Sequence, residues 1–364
     1  MIHGHGGNIY ALALKLGCRP EEIMDVSSNI NPLGPPPGLM VYLKDHLPSI
    51  CALPEVDSKT AVTQMASLLN LDPESLLAGA GTTQFIYAMF AALRSRKVLI
   101  VGPTYADYAD ACRMQHLEPN YYTAEKDQCF EPDMAALTQQ AGDYDTVIIC
   151  NPNNPTGVLI PRSSLLNLCR CHPDTRFVID ESYLPFVPEA ETLSMAGCGL
   201  ANVLVLHSLS KIYRLPGLRI GFLIASPGLI ECFRGLLLPW GLNSLAQAAV
   251  QFLYFHRDSV ERFVWETLSC IAAERFRLLM RIEQLNGWIP FPSVTSFFLI
   301  QLPAHWTARQ LSERFALDRI LVRDCGNFLG LGDRFIRIAV NKPNINDLIV
   351  ERLSAYVADF RAHP

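Results

Sequence analysis

The chain has 364 residues, 50% of them hydrophobic, which is ample for a large core and suggests two domains. A net charge of −5 without any Lys/Arg block argues against a nucleic-acid partner, and no apolar run reaches the ~18 residues of a membrane span. No basic stretch followed by an apolar one opens the chain, and the eleven cysteines include no C-x-x-C pair, so a cytoplasmic protein with reduced, structural thiols and no metal is expected.

In chain order, residues 1–44 are rich in Gly and Pro around Asn29-Ile30-Asn31-Pro32-Leu33-Gly34 and are expected to wrap onto a small C-terminal domain. A small-residue turn, Gly79-Ala80-Gly81, then precedes a helical pattern over 82–94. Short apolar runs recur at 97–101, 146–150, 176–179, 203–206 and 220–224, with a further helical stretch at 163–170. Continuous β-branched runs of this kind predict strands covered on both faces. Their alternation with helices predicts an α/β fold with a mostly parallel sheet, assigned to a large domain over 45–243. Beyond it, 244–285 reads as a long helical region with a break. Strands are expected at 296–302, 319–323 and 335–340 and helices at 307–315 and 346–360, so that 244–364 forms a linking helix and a smaller α+β domain.

Each apolar run of the large domain ends in a polar cluster, where open α/β sheets gather ligands. Gly81, Thr82 and Thr83 open a helix, and small residues, hydroxyls and a helix N-terminus together suit an anion; the same turn alone would equally serve as a plain helix cap. Tyr105 follows the strand that ends near Pro103, where an aromatic ring can stack on a ligand or pack in the core. The turn Asn151-Pro152-Asn153-Asn154-Pro155-Thr156-Gly157 is more specific than an ordinary loop and can present the Asn154 amide. Asp180-Glu181-Ser182-Tyr183 ends the next strand. Last comes Ser208-Leu209-Ser210-Lys211, with Arg219 eight positions on. An amine among anion-binding groups suggests a Schiff-base lysine beside a phosphate, and pyridoxal 5′-phosphate carries both an aldehyde and a phosphate. Asp180 could then hold a protonated ring nitrogen through a charge-assisted bond, and Asn154 and Tyr183 could bind the ring oxygen.

This set of motifs, in this order, resembles the fold-type I pyridoxal-phosphate enzymes and, within them, the class I/II aminotransferases. The resemblance covers nearly the whole chain. It implies a seven-stranded-type sheet, Lys211 as the cofactor lysine and Asp180 on the ring nitrogen. It also implies Asn154 and Tyr183 on the ring oxygen, Tyr105 stacked on the ring, and Gly81, Thr82, Thr83, Ser208, Ser210 and Arg219 around the phosphate. Arg337 matches the family's arginine for the substrate's acid group, and a homodimer is implied.

Two branches of the family fit best: the histidinol-phosphate aminotransferases and the threonine-phosphate decarboxylases of cobalamin synthesis. His5-Gly6-Gly7-Asn8, Asp25-Val26-Ser27-Ser28-Asn29, Pro239-Trp240-Gly241 and Leu321-Val322-Arg323-Asp324-Cys325-Gly326-Asn327 resemble the decarboxylase branch. That likeness implies that His5, Gly6, Asn29, Asn154, Arg323 and Arg337 contact a small phosphorylated amino acid. Two departures stand out. Ala52-Leu53-Pro54 lies where related enzymes usually carry an Arg-Tyr-Pro whose tyrosine reaches the partner's cofactor, and Gln84 stands where an acidic residue is common. A shifted substrate, such as phosphoserine, is therefore kept open.

Overall fold

The structure is a computed structural model, and it describes residues 6–362. Its strands, in chain order, are β1 (Met24–Asp25), β2 (Leu76–Ala80), β3 (Val98–Gly102), β4 (Asn120–Thr123), β5 (Thr146–Cys150), β6 (Arg176–Asp180), β7 (Val203–Ser208), β8 (Ile220–Ala225), β9 (Ile289–Pro290), β10 (Phe297–Gln301), β11 (Ile320–Leu321), β12 (Arg323–Asp324) and β13 (Phe335–Ala339). Seven of them form one sheet in the order β2-β8-β7-β6-β5-β3-β4. The pairs from β7 through to β4 are parallel, whereas β8 runs antiparallel to both of its neighbours.

The central strands are apolar along their interiors because both faces are covered. Leu99, Val101, Val147, Ile149, Phe177, Ile179, Val203 and Val205 point to one face and pack with Leu137, Leu165 and Leu168. Val98, Ile100, Ile148, Cys150, Val178, Leu204 and Leu206 point to the other and pack on Phe85, Met89, Phe90 and Tyr108. The only places such a sheet offers to polar side chains are its strand ends.

A second sheet, β12-β13-β10-β9, is antiparallel throughout and packs on the helix Pro343–Ala362 and on the far end of the helix Arg257–Glu283. The expected break in the long helical region falls at His256, between the helices Ser244–Phe255 and Arg257–Glu283. The expected single strand over 319–323 is not one strand. Ile320–Leu321 pairs in parallel with Met24–Asp25, and Arg323–Asp324 pairs antiparallel with β13. Arg319 enters in the left-handed region at φ 58, and the chain changes sheets at the buried Val322. β2 and β4 carry no β-branched run to betray them: β2 is Leu-Leu-Ala-Gly-Ala, and β4 is a half-exposed edge, Asn-Tyr-Tyr-Thr. The N-terminal segment divides its contacts. Met24–Asp25 joins β11 and the Val26 carbonyl accepts from the Ala339 amide, while Leu39 and Leu43 are buried with the helix Ser244–Phe255 beside the large sheet. No helix among the described residues is long and apolar enough to cross a membrane.

One close approach decides where the first functional turn sits. A Cβ on Gly221, in β8, would lie 2.4 Å from the Thr82 amide nitrogen and 2.6 Å from the Gly81 carbonyl carbon. Only a glycine lets β8 pass beneath the start of the helix Thr82–Leu93. Gly221→Ala is therefore expected to destabilise the fold by about 1–3 kcal/mol through overpacking, and to displace that helix start. A thermal melt with and without pyridoxal phosphate checks it; an unchanged midpoint in both would show that the helix start adjusts freely.

Candidate active site

Residues at the ends of β5, β6 and β7 and at the start of the helix Thr82–Leu93 converge on one pocket. Gly81, Thr82, Thr83, Tyr105, Asn154, Asp180, Tyr183, Ser208, Ser210, Lys211 and Arg219 all line it. The sequence expectation brought these residues together, and the structure does the same.

The asparagine-proline turn shows why its density of special residues is needed. Asn151 accepts from the Ile160 amide at 2.7 Å and donates to the Ile160 carbonyl at 3.0 Å. Asn153 donates to the Pro103 carbonyl at 2.8 Å and accepts from Thr104 Oγ1 at 2.7 Å. Two asparagines thus tie the turn to its neighbours, and the third, Asn154, is presented to the pocket.

Asp180 is buried at the end of β6. Its Oδ1 accepts from the Ser182 amide at 2.9 Å and its Oδ2 from the Tyr108 hydroxyl at 2.7 Å. Burial raises its pKa, and the bonds from Ser182 and Tyr108 oppose that rise by favouring the charged form. Neighbouring Glu181 faces elsewhere. It accepts from Ser194 Oγ at 2.5 Å and the Met195 amide at 2.6 Å, and burial lifts its pKa to about 7.

Lys211 lies on the turn after β7. Its pKa is lowered to about 8, mainly by burial and then by the positive charges of Arg219 and Arg337, with Asp180 pulling the other way. At neutral pH roughly a tenth of such an amine is uncharged, against less than a thousandth of an ordinary lysine. Arg219 is exposed on the far side of the pocket; its Nη2 donates to Thr83 Oγ1 at 3.4 Å and sits 2.8 Å from where a Cβ of Gly81 would be. Guanidinium, threonine hydroxyls and the start of a 12-residue helix make a cradle for an anion.

The Tyr105 and Tyr108 rings meet edge to face at 5.7 Å. Tyr183 is buried, its ring edge-on to Phe297 at 4.9 Å, and burial pushes its hydroxyl up to about 12, so that it stays a neutral donor near pH 7. Asn29 Nδ2 donates to that hydroxyl at 3.4 Å, and Asn29 Oδ1 is buried without a partner.

The second sheet supplies the remaining cations. Arg337, in the middle of β13, donates through Nη1 to Asn154 Oδ1 and through Nη2 to the Ser27 carbonyl at 2.5 Å; its Nε is buried with no partner. Arg323, directly opposite on β12, donates to the Asp324 carbonyl and to Asn327 Oδ1, each at 2.8 Å. Burial lowers the pKa of both arginines. A Cβ on Gly6 would lie 3.3 Å from Arg323 Cδ, so Gly6 is beside this cluster, whereas His5 is outside the described residues.

Tyr108 was not singled out by the sequence motifs. The signal was present as a second tyrosine three residues after Tyr105, one helical turn on, at the start of the helix Asp107–Met114. Cys150, the last residue of β5, also lines the pocket and was read only as part of a strand. Gln84 turns out to be structural, since its Oε1 accepts from the Ala80 amide at 2.7 Å.

An amine with a depressed pKa, a buried carboxylate across from it and an anion cradle beside it match the aldehyde, ring nitrogen and phosphate of pyridoxal 5′-phosphate. The fold and the pocket define a pyridoxal-phosphate enzyme. The chain belongs to the aminotransferase class I and II family, whose model matches residues 21–353. It is 30% identical over 353 residues to a threonine-phosphate decarboxylase of Salmonella typhimurium, covering 96% of this chain and 95% of the other. A histidinol-phosphate aminotransferase of Methanocaldococcus jannaschii is 26% identical, covering 90% and 88%. The crystal structure of the L-threonine-O-3-phosphate decarboxylase from Porphyromonas gingivalis superposes with a TM-score of 0.81 at 30% identity, covering 92% of this chain and 100% of that one.

Tyr108→Phe removes one of the bonds that stabilise the Asp180 charge. A hydrogen bond to a charged group contributes about 1.5–3 kcal/mol, so pyridoxal phosphate should dissociate roughly 10- to 100-fold more readily. Equilibrium dialysis measures this, and an unchanged dissociation constant would show that Tyr108 only fills space.

Proposed function

We propose that the protein decarboxylates a small phosphorylated amino acid, L-threonine O-3-phosphate, to (R)-1-aminopropan-2-yl phosphate, the linker precursor of cobalamin. The observation that carries this reading is the pair Arg323 and Arg337. They are cross-strand partners, so their side chains leave the same face, and like charges placed this way repel. Neither forms an ion pair among the described residues. A substrate bearing both a phosphate and a carboxylate would offset that repulsion, and arginine binds both groups bidentately. Asn29 and Asn154, at the edge of the same cluster, add an acceptor and an amide for the substrate's remaining polar atoms. The decarboxylase likeness at 30% identity over 96% of the chain supports the choice.

When bound, pyridoxal phosphate draws electrons from the substrate's α-carbon into its ring. Asp180 would hold the ring nitrogen protonated, Tyr105 would lie against the ring, and Asn154 and Tyr183 would donate to the ring oxygen. The cradle of Gly81, Thr82, Thr83, Ser208, Ser210 and Arg219 would hold the phosphate. The arginines orient the substrate so that its carboxylate, rather than its α-hydrogen, is the group released, and Lys211 returns a proton to the α-carbon. Small changes in that orientation would instead give amino transfer, the activity named for the aminotransferase relative.

The deciding assay incubates the enzyme with pyridoxal phosphate and phosphothreonine but no keto acid, and measures CO₂ and the amine. CO₂ in one-to-one ratio with the amine is expected, and Arg337→Met should lower kcat/KM roughly 10- to 100-fold. No CO₂, but amino transfer once 2-oxoglutarate is added, would replace this reading with the aminotransferase one. Phosphoserine in parallel reports the side chain preferred.

We also propose that the enzyme works in the cytoplasm as a homodimer. Exposed Leu47, Ile50, Leu53 and Val56 lie next to exposed Leu236, Leu238 and Trp240, the two loops being joined by a bond of 2.9 Å from the Trp240 amide to the Val56 carbonyl. An apolar surface of this kind is characteristic of an interface. Leu53, at 75% exposure, adds apolar contact there but no hydroxyl. Light scattering should give twice the 40.5 kDa chain mass; a monomer at micromolar concentration would refute it.

A further inference from the structure

Lys211 sits on a turn with few bonds of its own. Within it, the Arg214 amide donates to the Lys211 carbonyl at 3.2 Å and the Leu215 amide to the Ser210 carbonyl at 3.0 Å. The Ser210 amide also donates to Ser208 Oγ at 3.3 Å, and further restraint comes from elsewhere in the chain. Asn31 is fully buried, at 0% exposure, and every polar group it owns is used. Its backbone amide donates to the Lys211 carbonyl at 3.0 Å. Its Nδ2 donates to the Ile212 carbonyl at 2.8 Å and to Thr267 Oγ1, on the helix Arg257–Glu283, at 2.9 Å. Its Oδ1 accepts from the Leu33 amide at 2.9 Å, and its carbonyl accepts from Arg214 Nη1 at 2.8 Å.

The same short segment touches the anion-binding end of the pocket. Four residues before Asn31, the Ser27 carbonyl accepts from Arg337; two residues before it, Asn29 bonds Tyr183. We infer that Asn31 is a positioning residue for Lys211, fixing the amine-bearing turn to the segment that contacts Arg337 and Tyr183, so that filling the anion site also tightens the turn. The inference rests on Lys211 being the cofactor lysine and holds whether the reaction is decarboxylation or amino transfer.

The physical consequence is a protected amine. The charged groups that face Lys211 are Asp180, Arg219 and Arg337, and burial outweighs all three in setting its proton affinity. Freeing the turn admits water, water favours the protonated form, and the pH at which the site loses its proton rises. A loss of stability alone, with the turn still held, would leave that pH where it is.

The test uses the holoenzyme and two neutral substitutions that differ in which contact they cut. Asn31→Leu removes the side-chain bonds to Ile212, Thr267 and the Leu33 amide, whereas Thr267→Val removes only the bond to the helix. The readouts are the pH midpoint of the visible absorption band of the Lys211-bound cofactor and its circular dichroism. Asn31→Leu should raise the midpoint by roughly half to one pH unit and weaken the dichroism. Thr267→Val should lower the melting temperature and leave the band where it is. A midpoint unmoved in Asn31→Leu, or moved equally by Thr267→Val, overturns the inference. Lys211→Ala, which should abolish the band altogether, tests the lysine assignment separately. Hydrogen exchange on the unaltered holoenzyme decides the matter even where Asn31→Leu does not fold. Inorganic phosphate should slow the Asn31, Arg214 and Leu215 amides together; slowing of one without the others overturns the coupling.

Discussion

A sheet covered on both faces forces every polar group that must meet a ligand to its strand ends, and the rest of this molecule follows from that constraint. Cys150 and Asp180 are register partners at the ends of β5 and β6, and Lys211 lies just beyond β7. The carboxylate and the amine therefore face each other across adjacent strands without any special loop to aim them. What the loops add is restraint. Asn151 and Asn153 tie down their turn, Ser182 and Tyr108 hold the Asp180 oxygens, and Asn31 holds the Lys211 turn.

The pocket was largely legible in the sequence because its residues sit beside strong local signals. Continuous β-branched runs locate the strand ends, and proline, glycine and asparagine clusters mark the turns just beyond them. Tyr108 was harder to see because its importance is a matter of distance, 2.7 Å to a carboxylate 72 positions later. Its spacing from Tyr105 is the one local mark it carries, and a tyrosine that fills a core could show the same spacing. The strands β2 and β4 were missed for a related reason. One is built from small residues that let backbone approach backbone, and the other is an edge with only one neighbour. The run 319–323 misled because an unbroken apolar pattern carries no mark of a change from one sheet to another. That change has a use here, since it turns Arg323 alongside Arg337 while β11 stays paired with the N-terminal segment.

The two sheets divide the chemistry. The large one offers the amine, the carboxylate and the anion cradle. The small one offers two arginines set opposite each other on adjacent strands. The chain between Asp25 and Asn31 bridges them, and it is short and heavily hydrogen-bonded: Asp25 Oδ1 alone accepts from the Ser27 amide, the Ser27 hydroxyl and the Ser28 amide. Such a bridge has little freedom of its own to absorb displacement.

The reversed strand β8 sets a length. Ser208 and Gly221 are rung partners, so Lys211 and Arg219 rise from the same rung, three residues beyond one side and two before the other. The connecting loop is thus a ruler between the amine proposed to take the aldehyde and the guanidinium proposed to take the phosphate. A single inserted or deleted residue within it would leave every signature side chain in the sequence and still mismatch the two ends of the cofactor. Among relatives of this chain, the count of residues between these two cations should therefore drift far less than the identities of the residues that make up the count.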